Sequence, residues 1–208
     1  MNNNYKLSVE NLSCVRDDRV LFESLEFSIK NGQALLIEGH NGSGKTSLLR
    51  ILCGFHRAEE GVVHWCDTPV TRYSHEYYQN IAYVSHKNGL KDDLTAEENL
   101  ALSRKLMGVS TGNNEQALLK IGLLEQADLL VRQLSAGQKR RLALSRLLVT
   151  PYPLWILDEP FTSLDKKSIG VFEKILQEHV NNGGLLILTA HHDVDLQGLE
   201  VKRINLSE

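Results

Sequence analysis

The stretch that decides the fold is Gly39-His40-Asn41-Gly42-Ser43-Gly44-Lys45-Thr46, followed by Ser47. It comes after the apolar run 33–38 and before leucines at helical spacing in 46–53. The pattern G-x-x-x-x-G-K-[ST] between a strand and a helix predicts a loop whose amides enclose phosphate oxygens at the positive end of the helix. We expect Lys45 to reach the β- and γ-phosphates and the Thr46 hydroxyl to ligate Mg²⁺. Residues 39–47 are therefore predicted to bind a nucleoside triphosphate, rather than to form a glycine-rich turn that matches by chance.

Further apolar runs predict the rest of the core. Residues 81–84, 154–157 and 185–188 are almost wholly apolar, which is typical of parallel strands covered by helices on both faces. Residues 7–29 alternate instead, and predict an antiparallel meander beside that sheet. The sequence thus predicts an α/β fold with a mostly parallel sheet and an antiparallel β subdomain.

A helical lobe is predicted where the strand signal vanishes, between 88 and 149. Thr95-Ala96-Glu97-Glu98 is a capping box, so a helix is expected from 96 to about 107. The lobe would be inserted into a core made of 1–87 and 150–208. All 208 residues would then form one domain.

Two acids end the strand predicted over 154–157. Asp158 and Glu159 follow it directly, and the carboxyl ends of parallel strands share the sheet edge where ligands bind. Asp158 is therefore predicted to face Mg²⁺ beside the phosphate loop, directly or through water. Glu159 can polarise the water that attacks the γ-phosphate. A solvated turn before Pro160 is the alternative, and the shared sheet edge favours chemistry.

A second anion site is predicted at Leu134-Ser135-Ala136-Gly137-Gln138. A serine cap and a glycine at the start of a helix leave amides at its positive end. One γ-phosphate does not need two such sites from one chain. The economical explanation is that Ser135, Gly137 and Gln138 serve nucleotide bound by a second copy, in a head-to-tail, nucleotide-dependent homodimer. For this string alone, an ordinary capped helix is the alternative.

With these three motifs in this order, the chain resembles the ATPase subunit of an ABC transporter over nearly its whole length. The resemblance implies the P-loop NTPase fold of that family, ATP and Mg²⁺ as ligands, and ATP hydrolysis. Ser163-Leu164-Asp165 matches the family's loop that contacts the opposite subunit, and Thr189-Ala190-His191 matches its switch histidine. That histidine hydrogen-bonds the γ-phosphate in the family, so the resemblance implies that His191 joins Lys45 and Glu159 in catalysis.

Two positions depart from the family pattern. After the strand at 81–84 the family usually has a glutamine that links Mg²⁺ and the attacking water to the helical lobe, and this sequence has His86. Imidazole can ligate a metal or hydrogen-bond water, but it is shorter and titrates near neutrality. Arg16 stands where most relatives carry an aromatic residue that stacks on adenine. A guanidinium plane can also stack on a base, and a plain surface arginine is the alternative.

Within the family, the chain looks like the ATPase subunit of the haem exporter of bacterial cytochrome c maturation. The strings that carry this likeness lie in 85–100, 134–141 and 154–162. The likeness implies a translocase subunit, peripheral on the cytoplasmic face of the inner membrane, with separately encoded integral membrane subunits as partners. Its ATP hydrolysis would be linked to release of haem-loaded chaperone. Residues 87–94 are the candidate contact with those partners.

The composition of the chain argues against several other classes of protein. The net charge of −3 argues against a protein that coats nucleic acid, and Lys139-Arg140-Arg141 is predicted to be one solvated side of a helix. The three cysteines have no C-x-x-C spacing and fit a reducing compartment. No apolar run reaches the roughly 18 residues of a bilayer span.

Three other functions compete with this one. The chain could be the ATPase subunit of another ABC exporter, or a soluble ABC ATPase. The soluble class usually carries two tandem cassettes or a long coiled-coil insertion, for which 208 residues leave no room. A phosphoryl-transfer kinase would have no role for residues 135–138 or for His191.

Overall fold

The computed structural model describes residues 4–70, 74–109, 112–190, 194 and 196–207. These residues form two sheets and six α-helices. A five-stranded sheet has all its neighbouring strands parallel. In spatial order its strands are β6 (Ile81–Val84), β7 (Leu154–Asp158), β8 (Leu185–Thr189), β3 (Gln33–Glu38) and β9 (Glu200–Asn205).

The inner strands of the parallel sheet are buried on both faces. Ala34 and Leu36 of β3 belong to one buried cluster with Phe172 of helix α6 (Lys166–Asn181). The residues between them in sequence, such as Leu35, belong to a second cluster with helix α1 (Lys45–Leu52). Because both faces are covered, these strands show no polar alternation. The predicted parallel core is confirmed.

The second sheet is antiparallel and covers the α1 side of the core. Its strands, in spatial order, are β2 (Arg19–Lys30), β1 (Lys6–Arg16), β4 (Glu60–Trp65) and β5 (Thr68–Pro69). The β1–β2 hairpin turns at Asp17 and Asp18, which both have φ near +55° (50° and 58°), as a two-residue hairpin turn requires. This turn leaves Arg16 at the end of β1, beside the phosphate loop.

The described residues between 88 and 149 contain helices and no named strand. Helix α3 (Ala96–Leu106) begins with the predicted capping box. Thr95 Oγ1 accepts a hydrogen bond from the Glu98 amide at 3.1 Å, and the Glu98 carboxylate accepts one from the Thr95 amide at 2.8 Å. The other helices of this segment are α4 (Asn114–Lys120) and α5 (Ala136–Ser145), and α2 (His75–Tyr78) precedes it. The division of the chain at 88 and 149 stays a prediction.

The interpretation of Lys139-Arg140-Arg141 as a solvated helix side is wrong. Arg140 is only 2% exposed. Arg141 donates a 2.7 Å hydrogen bond to the carbonyl of Ile121, at the end of α4, and Lys139 lies 3.6 Å from Asp92. The three cations therefore fasten α5 to its neighbours within the protein.

Candidate active site

The phosphate loop joins the end of β3 to the start of α1. Gly44 precedes the helix with a φ of 103°, which a residue without a Cβ adopts at little cost. Lys45 Nζ donates to the carbonyls of Gly39 at 2.6 Å and His40 at 3.0 Å, so its ammonium lies against the loop itself. The Ser43 Oγ is buried and has no hydrogen-bond partner among the described residues. Such an orphaned hydroxyl inside an amide-lined loop fits a phosphate oxygen.

Asp158, at the end of β7, connects the phosphate loop to the neighbouring strand. Its side chain is almost fully buried, with Oδ2 accepting from Thr46 Oγ1 at 2.9 Å and Oδ1 accepting from Thr189 Oγ1 at 2.9 Å. These two hydroxyls fix the orientation of the carboxylate. Thr46 and Asp158, each predicted from the sequence to lie at a Mg²⁺ site, are therefore in direct contact; their role as metal ligands stays a prediction.

His86 lies near the same carboxylate oxygen that Thr46 contacts. Its Nδ1 is 3.8 Å from Asp158 Oδ2, and its side chain is half exposed. A hydroxyl, a carboxylate and an imidazole are thus close together at the end of β7, supplied by Thr46, Asp158 and His86. Mg²⁺ commonly takes one or two protein carboxylates and completes its shell with water and phosphate oxygens, so this donor set fits Mg²⁺ at a nucleotide site.

Glu159 begins the turn after β7 in a left-handed conformation, with φ of 47°. Its amide donates to Thr189 Oγ1 at 2.9 Å, so the same threonine orients Asp158 and Glu159. Glu159 lines a cleft of about 260 Å³ together with the phosphate loop. The lining is Arg16, Leu21, Asn41, Gly42, Gly44, Lys45, Thr46, Ser47 and Glu159.

Arg16 is one of the residues that line this cleft, and its contact with the base stays a prediction. Leu21 faces it from the other strand of the hairpin, and sequence reasoning did not single it out. Leu21 occupies an alternating strand position, which looks like any other residue of a half-buried sheet. Its place beside the phosphate loop follows only from the fold.

Ser135, Gly137 and Gln138 begin helix α5. Ser135 Oγ accepts from the Gln138 amide at 3.2 Å and Gln138 Oε1 accepts from the Ser135 amide at 2.8 Å, which completes a capping box. A Cβ on Gly137 would lie 3.0 Å from the Ser163 carbonyl oxygen, so the helix start packs closely on that loop. Within the described part of the chain, none of these three residues lines the cleft that holds Lys45 and Glu159.

His191 lies outside the described residues. Strand β8 ends two residues earlier, at Thr189, whose hydroxyl accepts a hydrogen bond from the Glu159 amide. The role predicted for His191 stays a prediction.

Arg140 is the residue near the site that the sequence interpretation misplaced. Its guanidinium donates to the carbonyls of Asp158, Glu159 and Pro160. Helical spacing gives a signal for its burial but not for its partners, because Arg140 and the buried Leu144 fall at i and i+4 on one side of the helix.

A larger cleft, of about 760 Å³, lies between the end of α1 and the antiparallel sheet. Leu12, Phe55, Val62 and Tyr78 are among its lining residues. It contains none of the predicted site residues. The predicted site residues that line a cleft therefore line the smaller of these two.

Comparison with known families agrees with this geometry. The family model described as ABC transporter matches residues 22–162, which include the phosphate loop, the start of α5 and the Asp158-Glu159 pair. The chain belongs to the ABC transporter family. As a member that carries the family's ATPase fold, it is an ATP-hydrolysing subunit of a transporter. No helix in the described ranges is both long enough and apolar enough to cross a membrane.

Curated relatives of this family member cover almost its whole length. The cytochrome c biogenesis ATP-binding export protein CcmA of Photobacterium profundum is 43% identical over 215 residues, which cover 97% of this chain and 100% of that protein. The protein of the same name from Haemophilus influenzae is 44% identical over 205 residues, with 98% and 96% covered.

Solved structures share the fold. A putative ABC transporter ATP-binding protein from Pyrococcus furiosus superposes with a TM-score of 0.83 at 25% identity, covering 97% of each chain. A dimeric ATP-binding cassette in a post-hydrolysis state with ADP and Pi gives a TM-score of 0.80 at 22% identity, covering 91% of this chain and 89% of that one. The fold class predicted from the sequence is confirmed.

Proposed function

We propose that this chain is the ATPase subunit of the exporter of bacterial cytochrome c maturation, and that its ATP hydrolysis is linked to release of haem-loaded chaperone. The observation that carries the ATPase part is the meeting of Thr46, Asp158 and His86 at one point, with Glu159 in the same cleft as Lys45. The assignment to this exporter is supported by the printed names of the relatives and by their nearly complete coverage.

In the proposed reaction, Glu159 activates water for attack on the γ-phosphate. Glu159 lies in the same cleft as the loop that would hold the triphosphate, and Thr189 anchors its amide. A carboxylate in that place can accept a proton as the water adds to phosphorus. Lys45 would pair with the β- and γ-phosphate oxygens once its ammonium turns from the loop carbonyls of Gly39 and His40.

Mg²⁺ is proposed as the metal of this site. Thr46 and Asp158 would hold it, with His86 as the third protein group. Mg²⁺ held there would supply positive charge that offsets the negative charge developing on the phosphate during transfer. Thr189 keeps the Asp158 carboxylate oriented for this role through its own hydrogen bond.

A head-to-tail dimer is proposed as the active form. Ser135 and Gly137 lie outside the cleft of their own chain among the described residues, although a capped helix start can bind a phosphate group. A partner chain would supply them to the open side of the cleft. His191 would contact the γ-phosphate bound by its own chain, as the switch histidine of ABC transporter ATPases does.

Complementation in the source bacterium tests the function. Its gene would be deleted and replaced by the unchanged gene, by Lys45→Ala or by Lys120→Ala as an exposed-lysine control. We expect the unchanged gene and Lys120→Ala to restore covalently haem-bound c-type cytochromes, seen by haem staining, and Lys45→Ala to fail. Normal cytochrome c in the deletion strain would contradict the assignment.

Membrane fractionation separates a transporter subunit from a soluble ABC ATPase. The chain should sediment with membranes when its neighbouring membrane subunits are expressed, and remain in the supernatant without them. Recovery in the supernatant under both conditions would contradict a peripheral position at the inner membrane.

A further inference from the structure

A single buried arginine joins three parts of the site. The Arg140 guanidinium, 2% exposed, donates to the carbonyls of Pro160 at 2.8 Å (Nε), Asp158 at 3.1 Å and Glu159 at 2.8 Å (both Nη2). Its Nη1 donates to the Ser85 carbonyl at 2.8 Å and to Asn88 Oδ1 at 3.3 Å. Helix α5, the turn that carries Glu159 and the loop that carries His86 are thus connected by one side chain.

The turn after β7 depends on these bonds for its shape. Glu159 has a φ of 47°, which is unfavourable for a residue with a Cβ. A buried carbonyl that loses its donor is left unsatisfied and without water to replace the bond, which is unfavourable. Three consecutive carbonyls that share one rigid guanidinium therefore hold the main chain in this conformation. Burial lowers the pKa of Arg140 to about 10, so the guanidinium stays charged at neutral pH.

The other end of the guanidinium fixes the loop before the helical segment. Ser85 immediately precedes His86, and its carbonyl accepts from the same Nη1 that reaches Asn88. A displacement of α5 would therefore move both the main chain of Glu159 and the main chain beside His86. The planar fork of arginine can do this, whereas a lysine ammonium offers one point of attachment and three donors.

We propose that Arg140 is a positioning residue for ATP hydrolysis, which holds the Glu159 turn and the His86 loop at fixed places relative to helix α5. This inference rests on the proposed role of Glu159 in activating water. Arg140 itself does not reach the reacting atoms, and it acts through the main chain of the residues it contacts. A displacement of about 1 Å at a reacting group can reduce a rate about 100-fold.

Arg146 offers a matched control in the same segment. It follows helix α5, is also largely desolvated, and donates to the carbonyls of Ala143, Asn88 and Gly89. None of the hydrogen bonds described for Arg146 reaches residues 158–160. Substituting Arg146 removes hydrogen bonds from a guanidinium to main-chain carbonyls, as in the Arg140 variants, but leaves the turn of Glu159 untouched.

The test compares Arg140→Lys, Arg140→Gln and Arg146→Lys in the full chain. Binding of an ATP analogue and the melting temperature are measured on purified protein, and kcat and KM for ATP in membranes that contain the partners. We expect the Arg140 variants to bind ATP within about threefold of the unchanged chain and to lose at least about tenfold in kcat. Arg146→Lys should keep kcat within about threefold, whatever its melting temperature.

A double substitution distinguishes positioning from a general loss of structure. If Arg140 acts through Glu159, adding Arg140→Lys to Glu159→Gln should lower the residual kcat by less than about twofold. Additive losses in that pair, or equal kcat losses in the Arg140 and Arg146 variants, would overturn the inference. Failure of the unchanged chain to bind ATP would instead overturn the proposed function on which it rests.

Discussion

Thr46 Oγ1 donates a 2.9 Å hydrogen bond to Asp158 Oδ2, although the two residues stand 112 positions apart in sequence. They meet because β3 and β7 run parallel in one sheet, with β8 between them, so both carboxyl ends open on the same edge. The first residues of α1 follow β3 through a loop of a few residues. The sheet topology therefore places the hydroxyl and the carboxylate together.

Glu159→Gln should bind ATP normally and lose most of its turnover. The amide retains the size of the carboxylate but is a poor proton acceptor, so attack by water on the γ-phosphate slows, by about 100-fold or more. Unhydrolysed ATP should then hold two chains together. Size-exclusion chromatography with ATP would show the dimer, and phosphate release would show the loss of rate.

Glu178→Gln provides the control for that experiment. Glu178 is an exposed carboxylate that pairs with Lys120 at 2.6 Å, away from the cleft. It should hydrolyse ATP at the unchanged rate. Hydrolysis by Glu159→Gln at the same rate as Glu178→Gln would show that another group activates the water.

His86→Gln should remain active and alter coupling rather than ATP binding. Glutamine can donate and accept at the metal site and reaches at least as far as imidazole, so KM for ATP should stay within about threefold. We expect the stimulation of hydrolysis by membrane partners to change. His75→Gln, at an exposed histidine that does not line the cleft, should leave both quantities unchanged. Loss of ATP binding in His86→Gln would show that His86 was placed wrongly.

Arg16→Ala should raise KM for ATP several-fold and leave kcat unchanged. Arg16 lines the cleft at its rim, where stacking on the base would stabilise the bound ground state and the transition state equally. Arg16→Tyr should restore affinity by aromatic stacking. Arg19 is the cross-strand neighbour of Arg16 and does not line the cleft, so Arg19→Ala is the matched control. Equal KM values in the two alanine variants would contradict contact between Arg16 and the base.

His179 predicts an acid-sensitive fold. The ring of His179 stacks on that of Trp155, with centroids 3.7 Å apart. Burial lowers the pKa of His179 to about 4, although hydrogen bonds to the carbonyls of Leu185 and Pro153 act in the opposite direction. The unfolded chain binds a proton near pH 6.5 and the folded chain only near pH 4, so stability falls as the pH drops through this window. The loss between pH 7 and pH 5 should be about 2 kcal/mol.

Urea unfolding of the unchanged chain and of His179→Phe at both pH values measures this effect. Phenylalanine keeps the stacked ring and does not titrate, so the variant should lose about 2 kcal/mol less than the unchanged chain on acidification. The same loss of unfolding free energy in both proteins would show that other groups cause the acid sensitivity.

The sequence predicted the parts of the site that have local signals. The phosphate loop, the acidic pair and the capping box at Thr95 each have a fixed spacing, and each lies on the predicted kind of element. The parallel core followed from runs that are apolar on both faces. The rule that parallel strands share a carboxyl edge placed Asp158 beside the phosphate loop, where the structure shows it in contact with Thr46.

The contacts that the sequence could not give depend on tertiary packing. Arg140 was interpreted as solvated because two basic neighbours flank it, yet it is buried and hydrogen-bonds main-chain carbonyls. Local composition does not reveal which carbonyls a turn leaves unpaired, and here the turn at 158–160 decides the environment of the side chain. Leu21 and Thr189 contact the site for similar reasons, since sheet pairing alone brings them there.

The close approach of Gly137 to the Ser163 carbonyl has a consequence for association. A side chain larger than that of glycine at position 137 would press on the Ser163 carbonyl, so the start of helix α5 packs directly against this loop. In the proposed dimer, a subunit would present to its twin a surface fixed by this contact, and little conformational entropy would be lost there when two copies close. Encounter, rather than rearrangement of that surface, would then govern how quickly the pair forms.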